Sequence, residues 1–200
     1  MNNLAIAYVT CDKYEHVWEE WHDAFIEHWH DWDIPVYWCG EEKPAIDDDF
    51  FQIYHDRVEP EHWTTKLKTQ LEQIPEENIF VWLDDMVQQK SITKEFNALY
   101  EWFITHEADS LRIMMRESKA VYEPEVALLG NPLYRLALRS PYLVSYSPNI
   151  YRKDFLLEIL SYADESPWSS ELEGSYRFWR PRRKIYAYHI DGWVINRIVQ

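Results

Sequence analysis

The sequence predicts an α/β fold with a central, mostly parallel sheet that helices flank on both sides. Short apolar runs rich in β-forming residues alternate with longer segments of helical periodicity, which is the pattern of such sheets. The clearest runs are Leu4–Val9, 35–39 and 79–83. No repeat, low-complexity tract or linker interrupts the 200 residues, so we expect a single domain over residues 1–200.

Apolar spacing predicts the other elements. Trp18, Trp21, Phe25 and Trp29 recur at spacings of three and four, which makes one apolar face of a helix that runs to about residue 32. The same reasoning predicts strands at 50–54, 111–115, 142–146, 184–188 and 194–199, helices at 63–74, 91–105 (with Ser91 as its N-cap), 153–162 and after Pro167, and an irregular excursion over the site at 116–134.

The composition argues against general affinity for nucleic acids. The 35 acidic and 20 basic residues give a net charge of −15, whereas proteins that follow a phosphate backbone usually present a broad basic surface. The 11 tryptophans and 14 tyrosines indicate either an aromatic-rich core or a cleft that stacks sugars or bases. The two cysteines lack zinc-binding spacing. Without a signal-peptide pattern or a membrane-length apolar run, we expect a cytoplasmic protein with reduced thiols and no membrane contact.

Residues 177–184 concentrate positive charge in this acidic chain. The segment reads RFWRPRRK and contains five cations. It predicts either a contact with an anion, such as a diphosphate or an acidic acceptor, or a solvated loop that balances nearby acids. The five cations are Arg177, Arg180, Arg182, Arg183 and Lys184.

The common nucleotide-binding motifs are missing from the sequence. The chain has only four glycines and contains no GxGxxG, no P-loop and no GxSxG elbow. The strongest candidate site is Asp84 with Asp85, directly after the buried run 79–83. Open α/β sheets bind ligands at the carboxyl ends of their strands, and Mg²⁺ or Mn²⁺ takes one or two carboxylates together with substrate phosphate oxygens. The alternative is a turn or a helix cap, where aspartate is also common.

Five short motifs follow one another along most of the chain. They read TCDxY at 10–14, WxxKL at 63–67, FVWLDD at 80–85, SYSPNIYRKDF at 145–155 and PWSSE at 167–171. In this order they resemble the GT-A-type glycosyltransferases of bacteria and phages that carry a shortened Asp-x-Asp metal motif. The usual Asp-x-Asp is here Asp-Asp. This departure leaves open which carboxylate binds a metal, and whether a metal is required.

The resemblance implies a single GT-A-like (Rossmann-like) domain that binds a nucleoside-diphosphate sugar, with a UDP-sugar favoured, together with Mn²⁺ or Mg²⁺. It implies that Asp84 faces the sugar and ribose, that Asp85 binds the metal, and that Glu171 is the catalytic base of an inverting transfer. His189, as a further metal ligand, or the basic cluster would meet the diphosphate. The donor-binding residues that it implies are Thr10, Cys11, Asp12 and Tyr14 near the base and ribose, Lys66 near the base or phosphates, and Arg182 and Arg183 near the diphosphate.

Simpler interpretations of these residues stay open. Residues 10–12 can cap the helix that follows the first strand, and Lys66 can belong to a solvated helix face. Direct displacement at an anomeric carbon needs a base within hydrogen-bond reach of the acceptor hydroxyl, and we favour Glu171 over Glu173 for that role. Trp168 beside them can stack on a sugar. The same acids also suit the first turn of a helix, where the helix dipole stabilises negative charge.

Metal-assisted transfer of a sugar to an acceptor hydroxyl is therefore the leading hypothesis, and inversion and retention both stay open. The acceptor is a saccharide or modified phage DNA, in which case the protein works in the host cytoplasm. The basic segment favours DNA, whereas the net charge of −15 argues against it. Two other hypotheses are a non-catalytic nucleotide-binding module and a metal-dependent phosphohydrolase or nucleotidyltransferase that uses the same adjacent acids.

Overall fold

The computed structural model describes residues 3–29, 33–114, 120–137, 139–146, 148–179 and 183–197. Within them the chain forms eleven strands and five α-helices. The strands are β1 (Leu4–Val9), β2 (Val36–Cys39), β3 (Phe51–Ile53), β4 (Asn78–Leu83), β5 (Met86–Gln88), β6 (Ser110–Arg112), β7 (Tyr122–Leu128), β8 (Asn131–Leu136), β9 (Asn149–Arg152), β10 (Ile185–Tyr188) and β11 (Val194–Asn196). The helices are α1 (Glu15–Trp29), α2 (Trp63–Leu71), α3 (Thr93–Thr105), α4 (Lys153–Leu160) and α5 (Pro167–Arg177).

The main sheet has nine strands among the described residues, in the order β3-β2-β1-β4-β9-β6-β10-β8-β7. The four neighbouring strands β3, β2, β1 and β4 are parallel to one another. Strand β9 enters antiparallel between β4 and β6, and β8 is antiparallel to β7 and β10. Strands β5 and β11 form a separate antiparallel pair. The predicted α/β class, with mostly parallel central strands, is confirmed.

Alternation along β1 separates two apolar layers, because successive side chains of a strand point to opposite faces. Leu4, Ile6 and Tyr8 join one layer, which also contains the apolar faces of α1 and α3. Ala5 and Ala7 join the other layer, which contains those of α2 and α4. The sheet is therefore covered on both sides, as a mostly parallel sheet requires.

The tryptophans mainly build the core. Seven of those in the described residues are buried: Trp18, Trp21, Trp29, Trp38, Trp82, Trp102 and Trp193. Trp63 and Trp179 are partly buried, and Trp168 is exposed over 67% of its surface. The aromatic-rich core that the composition suggested is therefore correct for most of these residues, and Trp168 requires a separate explanation.

The stretch 142–146 was predicted as a strand and is not one. Its apolar side chains are buried, but its backbone bonds to side chains of α5 instead of to a neighbouring strand. The backbone N–H of Val144 donates to Ser175 Oγ at 3.1 Å, and that of Tyr146 donates to Glu171 at 2.8 Å. Burial alone therefore does not identify a strand, because the hydrogen-bond partners decide its conformation.

Other differences concern short elements. Part of the excursion predicted at 116–134 is the antiparallel hairpin β7–β8. Strands β5 and β9 were not predicted, because each is too short to show a clear alternation. Helix α3 begins at Thr93 without a side-chain cap, and Ser91 Oγ instead lies 3.0 Å from Thr93 Oγ1. Within the described part of the chain, no helix has both the length and the apolar character needed to span a bilayer.

Candidate active site

A cavity of about 510 Å³ opens where the carboxyl ends of β1 and β4 lie side by side. The two strands are in register up to Val9 and Leu83, so the residues that follow them, Thr10 and Asp84, become neighbours. Thr10 Oγ1 donates to Asp84 Oδ2 at 2.7 Å. Eight residues to which the sequence analysis gave a possible ligand or catalytic role line this cavity: Thr10, Cys11, Tyr14, Lys66, Asp84, Asp85, Trp168 and Glu171.

Asp84 is a buried acid, with only 7% of its surface exposed. Burial is the main reason that its pKa rises from 3.8 to about 7, and the adjacent Asp85 raises it further. The Thr10 hydroxyl and the Lys66 ammonium act in the opposite direction because both stabilise the carboxylate. Thr10 Oγ1 also accepts a hydrogen bond from Trp18 Nε1 at 2.7 Å, which fixes its position.

Asp85 is more accessible than Asp84 and is held by the C-terminal part of the chain. Its Oδ2 accepts from Asn196 Nδ2 at 2.7 Å, and its carbonyl accepts from the backbone of Arg197 at 2.9 Å. The two aspartates occupy the turn between β4 and β5, and Trp82 Nε1 donates across that turn to the carbonyl of Met86 at 2.6 Å. The turn interpretation and the ligand interpretation of this dipeptide are therefore compatible.

Glu41 is a cavity residue that the sequence reasoning missed. Its Oε1 accepts from Lys66 Nζ at 2.8 Å, and its Oε2 accepts from the backbone N–H of Asp12 at 3.1 Å. Both side chains of the ion pair are almost completely buried. Glu41 follows β2 just as Asp84 follows β4, so the rule that carboxyl ends of parallel strands meet at one edge could have identified it.

Lys66 therefore lines the cavity without belonging to a solvated helix face. Its ammonium lies 2.8 Å from Glu41 and 3.5 Å from the carbonyl of Thr10, so it connects α2 to the loops after β1 and β2. Gly40 allows the loop after β2 to pass close to the indole of Trp38, because a Cβ atom at this position would lie 2.8 Å from Trp38 Nε1. This arrangement places one buried cation between the acids of the cavity wall.

The loop after β1 forms a 3₁₀ turn, Asp12–Tyr14, before α1 begins. Cys11 is a free thiol whose pKa is raised by burial and by Asp84, and burial likewise raises the pKa of Tyr14. Asp12 is not among the residues that line the cavity. Its Oδ1 instead accepts from the backbone N–H of Lys43 at 3.3 Å, so it fastens the loop after β2.

Glu171 is carried into the cavity wall by α5, which begins at Pro167 with Ser166 as its N-cap. Ser145 Oγ and the backbone N–H of Tyr146 both donate to Glu171 Oε1, at 2.9 and 2.8 Å. Glu173 is exposed and does not line the cavity. Helix α5 thus directs Glu171, and not Glu173, into the cavity wall. The hydrogen bonds of Glu171 hold the loop that places Tyr146 beside the cavity.

The basic segment does not reach the cavity in its described part. Arg183 Nη1 lies 3.1 Å from Asp109 Oδ1, its second Nη pairs with Glu158, and its guanidinium lies 4.5 Å from the centre of the Phe155 ring. Local acids therefore hold Arg183 away from the donor contact that was expected of it. Arg182 lies outside the described residues. Arg177 is likewise paired locally, with Glu165.

His189 is also separated from the aspartates. It is exposed, follows β10 and is not a cavity residue. Strands β9 and β6 intervene between β4 and β10 in the sheet, which corresponds to about 14 Å at about 4.8 Å per strand. The expected pairing of His189 with Asp85 on one metal is therefore not supported by the sheet order, and the reason is the insertion of two strands that the sequence pattern did not reveal.

The donor chemistry of the two aspartates fits a hard divalent cation, because carboxylate oxygens are ligands that Mg²⁺ and Mn²⁺ accept. Within the described residues, no group of three or more His, Cys, Asp or Glu side chains is arranged to hold a metal ion. A cation at this position would therefore take one or both of these carboxylates as its protein ligands, together with oxygens of its substrate.

The fold is shared with solved structures of nucleotide and nucleotide-sugar enzymes. A UTP-bound UGPase from Acinetobacter baumannii superimposes with a TM-score of 0.61 and 9% identity, over 97% of this chain and 88% of that chain. S. aureus TarS 1-349 in complex with UDP-GlcNAc gives 0.56 and 14%, over 94% and 58%. A putative nucleotide-diphospho-sugar transferase from Desulfovibrio desulfuricans G20 gives 0.53 and 8%, over 94% and 79%.

These identities indicate a common fold and nothing finer. The chain spans about 60% of the length of the TarS fragment. No family model matches the sequence, and no curated protein matches it either. The chain therefore has the α/β fold of nucleotide-sugar transferases and of a UGPase, with a polar cavity at the carboxyl ends of its parallel strands.

Proposed function

We propose that this protein is a glycosyltransferase that moves a sugar from a nucleoside-diphosphate sugar to an acceptor hydroxyl. The observation that carries the proposal is the convergence of Asp84, Asp85 and Glu171 on one cavity of about 510 Å³, a volume within the range of small-molecule sites. A UDP-sugar is the favoured donor, since TarS was solved with UDP-GlcNAc and with UDP. Thr10, Cys11 and Tyr14 would surround the nucleotide.

The proposed roles follow from the positions of the acids. Asp85, the more accessible of the two, would bind Mn²⁺ or Mg²⁺, and the buried Asp84 would face the sugar and ribose. The cation, when bound, neutralises charge on the departing diphosphate. Glu171 would accept the proton of the acceptor hydroxyl in an inverting transfer. Lys66 would favour negative charge in the cavity while its ion pair with Glu41 keeps the first two loops in place.

A saccharide is the better acceptor candidate. The basic segment was the main argument for modified DNA, and its described cations, Arg177, Arg183 and Lys184, are all paired with local acids. The net charge of −15 works in the same direction, because it repels a polyanion.

A nucleotidyltransferase is the second candidate function. The superposition on a UTP-bound UGPase favours it, with a TM-score of 0.61 over 88% of that chain. A cavity with two carboxylates could hold a cation on a nucleoside triphosphate as well as on a diphosphate sugar. The two candidates differ in their products, because a nucleotidyltransferase would release pyrophosphate from UTP and a glycosyltransferase would release UDP from a UDP-sugar.

Thermal unfolding tests the donor site. UDP, GDP, CMP, ADP and NAD would each be added with and without Mn²⁺, and a ligand that binds only the folded state raises the midpoint. We expect UDP with Mn²⁺ to raise it by about 5 °C or more at 100-fold excess over Kd. Asp85→Asn should remove the shift, whereas Asp191→Asn, an exposed aspartate outside the cavity, should retain it. No shift with any nucleotide would refute the donor site.

A further inference from the structure

Helix α5 carries an exposed apolar stripe that starts at the cavity. Trp168, Leu172 and Tyr176 are spaced by four residues, so they lie on one side of the helix, and 67%, 41% and 51% of their surfaces are exposed. The stripe extends over about 12 Å from Trp168 to Tyr176, at 1.5 Å per residue. Single exposed apolar residues are ordinary, whereas exposed apolar residues that lie together are typical of a surface that binds a ligand or a partner.

The stripe is continuous with the proposed active site. Trp168 lines the cavity, and so does Glu171, which lies one turn further along the same helix. Leu172 and Tyr176 lie beyond the cavity, so the exposed side of α5 leads outward from it. The ring of Trp179 extends the aromatic surface, because its centre lies 4.9 Å from that of Tyr176. A ligand that reaches Glu171 can therefore continue along this side of the helix.

The chemistry of the stripe favours sugar rings. Indole and phenol side chains offer a flat apolar face together with a polar tip, and sugar rings likewise have apolar faces and polar edges. The charges nearby oppose a polyanion. Glu173 is exposed on the same helix, and Glu59 lines the cavity. The only described cation on α5, Arg177, is paired with Glu165 and covers the Tyr162 ring at 4.8 Å.

We propose that Trp168, Leu172 and Tyr176 form an acceptor track that binds an extended, uncharged saccharide and directs its end toward Glu171. The proposal rests on the proposed function, because it supplies the acceptor class for that reaction. Trp168 binds the sugar unit nearest the cavity, and Tyr176 binds a unit further along the chain. The track therefore selects acceptors by length, and a monosaccharide contacts only its first member.

Affinity electrophoresis in native gels tests the track directly. Each gel contains one uncharged soluble polysaccharide (a β-glucan, an α-glucan, a mannan or a xylan), and retardation measures binding without turnover. We expect at least one polysaccharide to retard the wild-type protein. Trp168→Ala and Tyr176→Ala should each weaken that binding by about two- to tenfold, which is the range of a single aromatic contact. The control Ile104→Ala removes an apolar side chain that is 46% exposed on α3, outside the cavity, and should bind as wild type.

The outcomes separate this proposal from the donor site. The nucleotide-dependent thermal shift is measured on the same variants, and we expect Tyr176→Ala, which changes a residue beyond the cavity, to retain it. Retardation without any thermal shift would support the track and refute the donor site, whereas a shift without retardation by any of the four polysaccharides would refute the track alone. Two further results would overturn the track: binding of duplex DNA that the variants lose, or a wild-type dimer in sedimentation that the variants convert to monomer.

Discussion

Two charge-rich regions of this protein, the cavity wall and the basic segment 177–184, differ in whether their charged side chains come together in the fold. The charged residues of the cavity wall are far apart in sequence, yet Glu41, Lys66 and Asp84 meet at adjacent strand ends. The cations of the basic segment are close in sequence, yet Arg177 and Arg183 bind different acids outside the cavity. The position of a strand end, rather than local charge density, therefore determines which charges can act on one ligand.

The largest expected effect tests the cavity wall as a catalytic site. In Glu171→Gln the amide oxygen can still accept from Ser145 and Tyr146, but the side chain can no longer take a proton. We expect sugar transfer to fall by about 100- to 10,000-fold while the nucleotide-dependent thermal shift is unchanged. The measurement is release of UDP from a UDP-sugar in the presence of an acceptor. Glu173→Gln, on the exposed side of α5, is the matched control, and equal losses in both variants would contradict the assignment.

Removing the buried ammonium of Lys66 from the cavity wall should give the next largest effect, which is a loss of folding stability. Lys66→Met leaves Glu41 buried without its partner, and such a loss typically destabilises a protein by about 3–5 kcal/mol. The free energy of unfolding in urea measures it. The double variant Lys66→Met with Glu41→Gln should regain a large part of the loss, because it no longer buries an unpaired charge. A single-variant loss of less than about 1 kcal/mol would mean that the pair behaves as if exposed.

A third prediction concerns pH. Burial raises the pKa of Asp84 from 3.8 to about 7, so the folded state holds this proton more tightly than the unfolded state. The stabilising contribution is complete below about pH 4 and is lost as the pH rises to about 7. Asp84→Asn lacks this dependence, so without metal it should be more stable than wild type at pH 8, by about 2–4 kcal/mol.

Denaturant unfolding of both proteins from pH 4 to pH 8 provides the measurement. The difference in unfolding free energy between Asp84→Asn and wild type should grow from about pH 4 to about pH 7 and become constant above that. A difference that is the same at pH 4 and pH 8 would show that the carboxyl is not buried as described. The variant should also lose the thermal shift with UDP and Mn²⁺, which would separate the stability of the fold from its capacity to bind the donor.

The smallest effect is expected in the basic segment. Arg183→Gln removes one partner of Asp109 and Glu158, and because the guanidinium is partly exposed the loss should be about 1 kcal/mol or less. The thermal shift with UDP and Mn²⁺ should not change, since Arg183 does not line the cavity. If Arg183→Gln lost the thermal shift with UDP and Mn²⁺, the basic segment and the cavity wall would be coupled and would not act independently.

The candidate site was partly predictable from the sequence. A buried strand followed by adjacent acids identified Asp84 and Asp85, and the family resemblance together with the need for a base near the acceptor hydroxyl pointed to Glu171. Glu41 was missed although it also lies just after a parallel strand, β2. It is the first of several acids in the loop 41–49, and nothing in the local sequence distinguishes it from the others. Asn196 was missed because nothing local indicates that β11 pairs with β5 beside Asp85.

Residue types and spacings along single segments were enough to predict the alternation of strands and helices, a sheet covered on both sides, and the acidic net charge. The folded chain was needed for the sheet order, which separates His189 from Asp85 by inserting β9 and β6, and for the pairing of β11 with β5 beside Asp85. These outcomes depend on pairings between residues that are far apart in the chain, and the physical forces that select them, hydrogen bonding and burial against a distant partner, leave no periodicity in the local sequence.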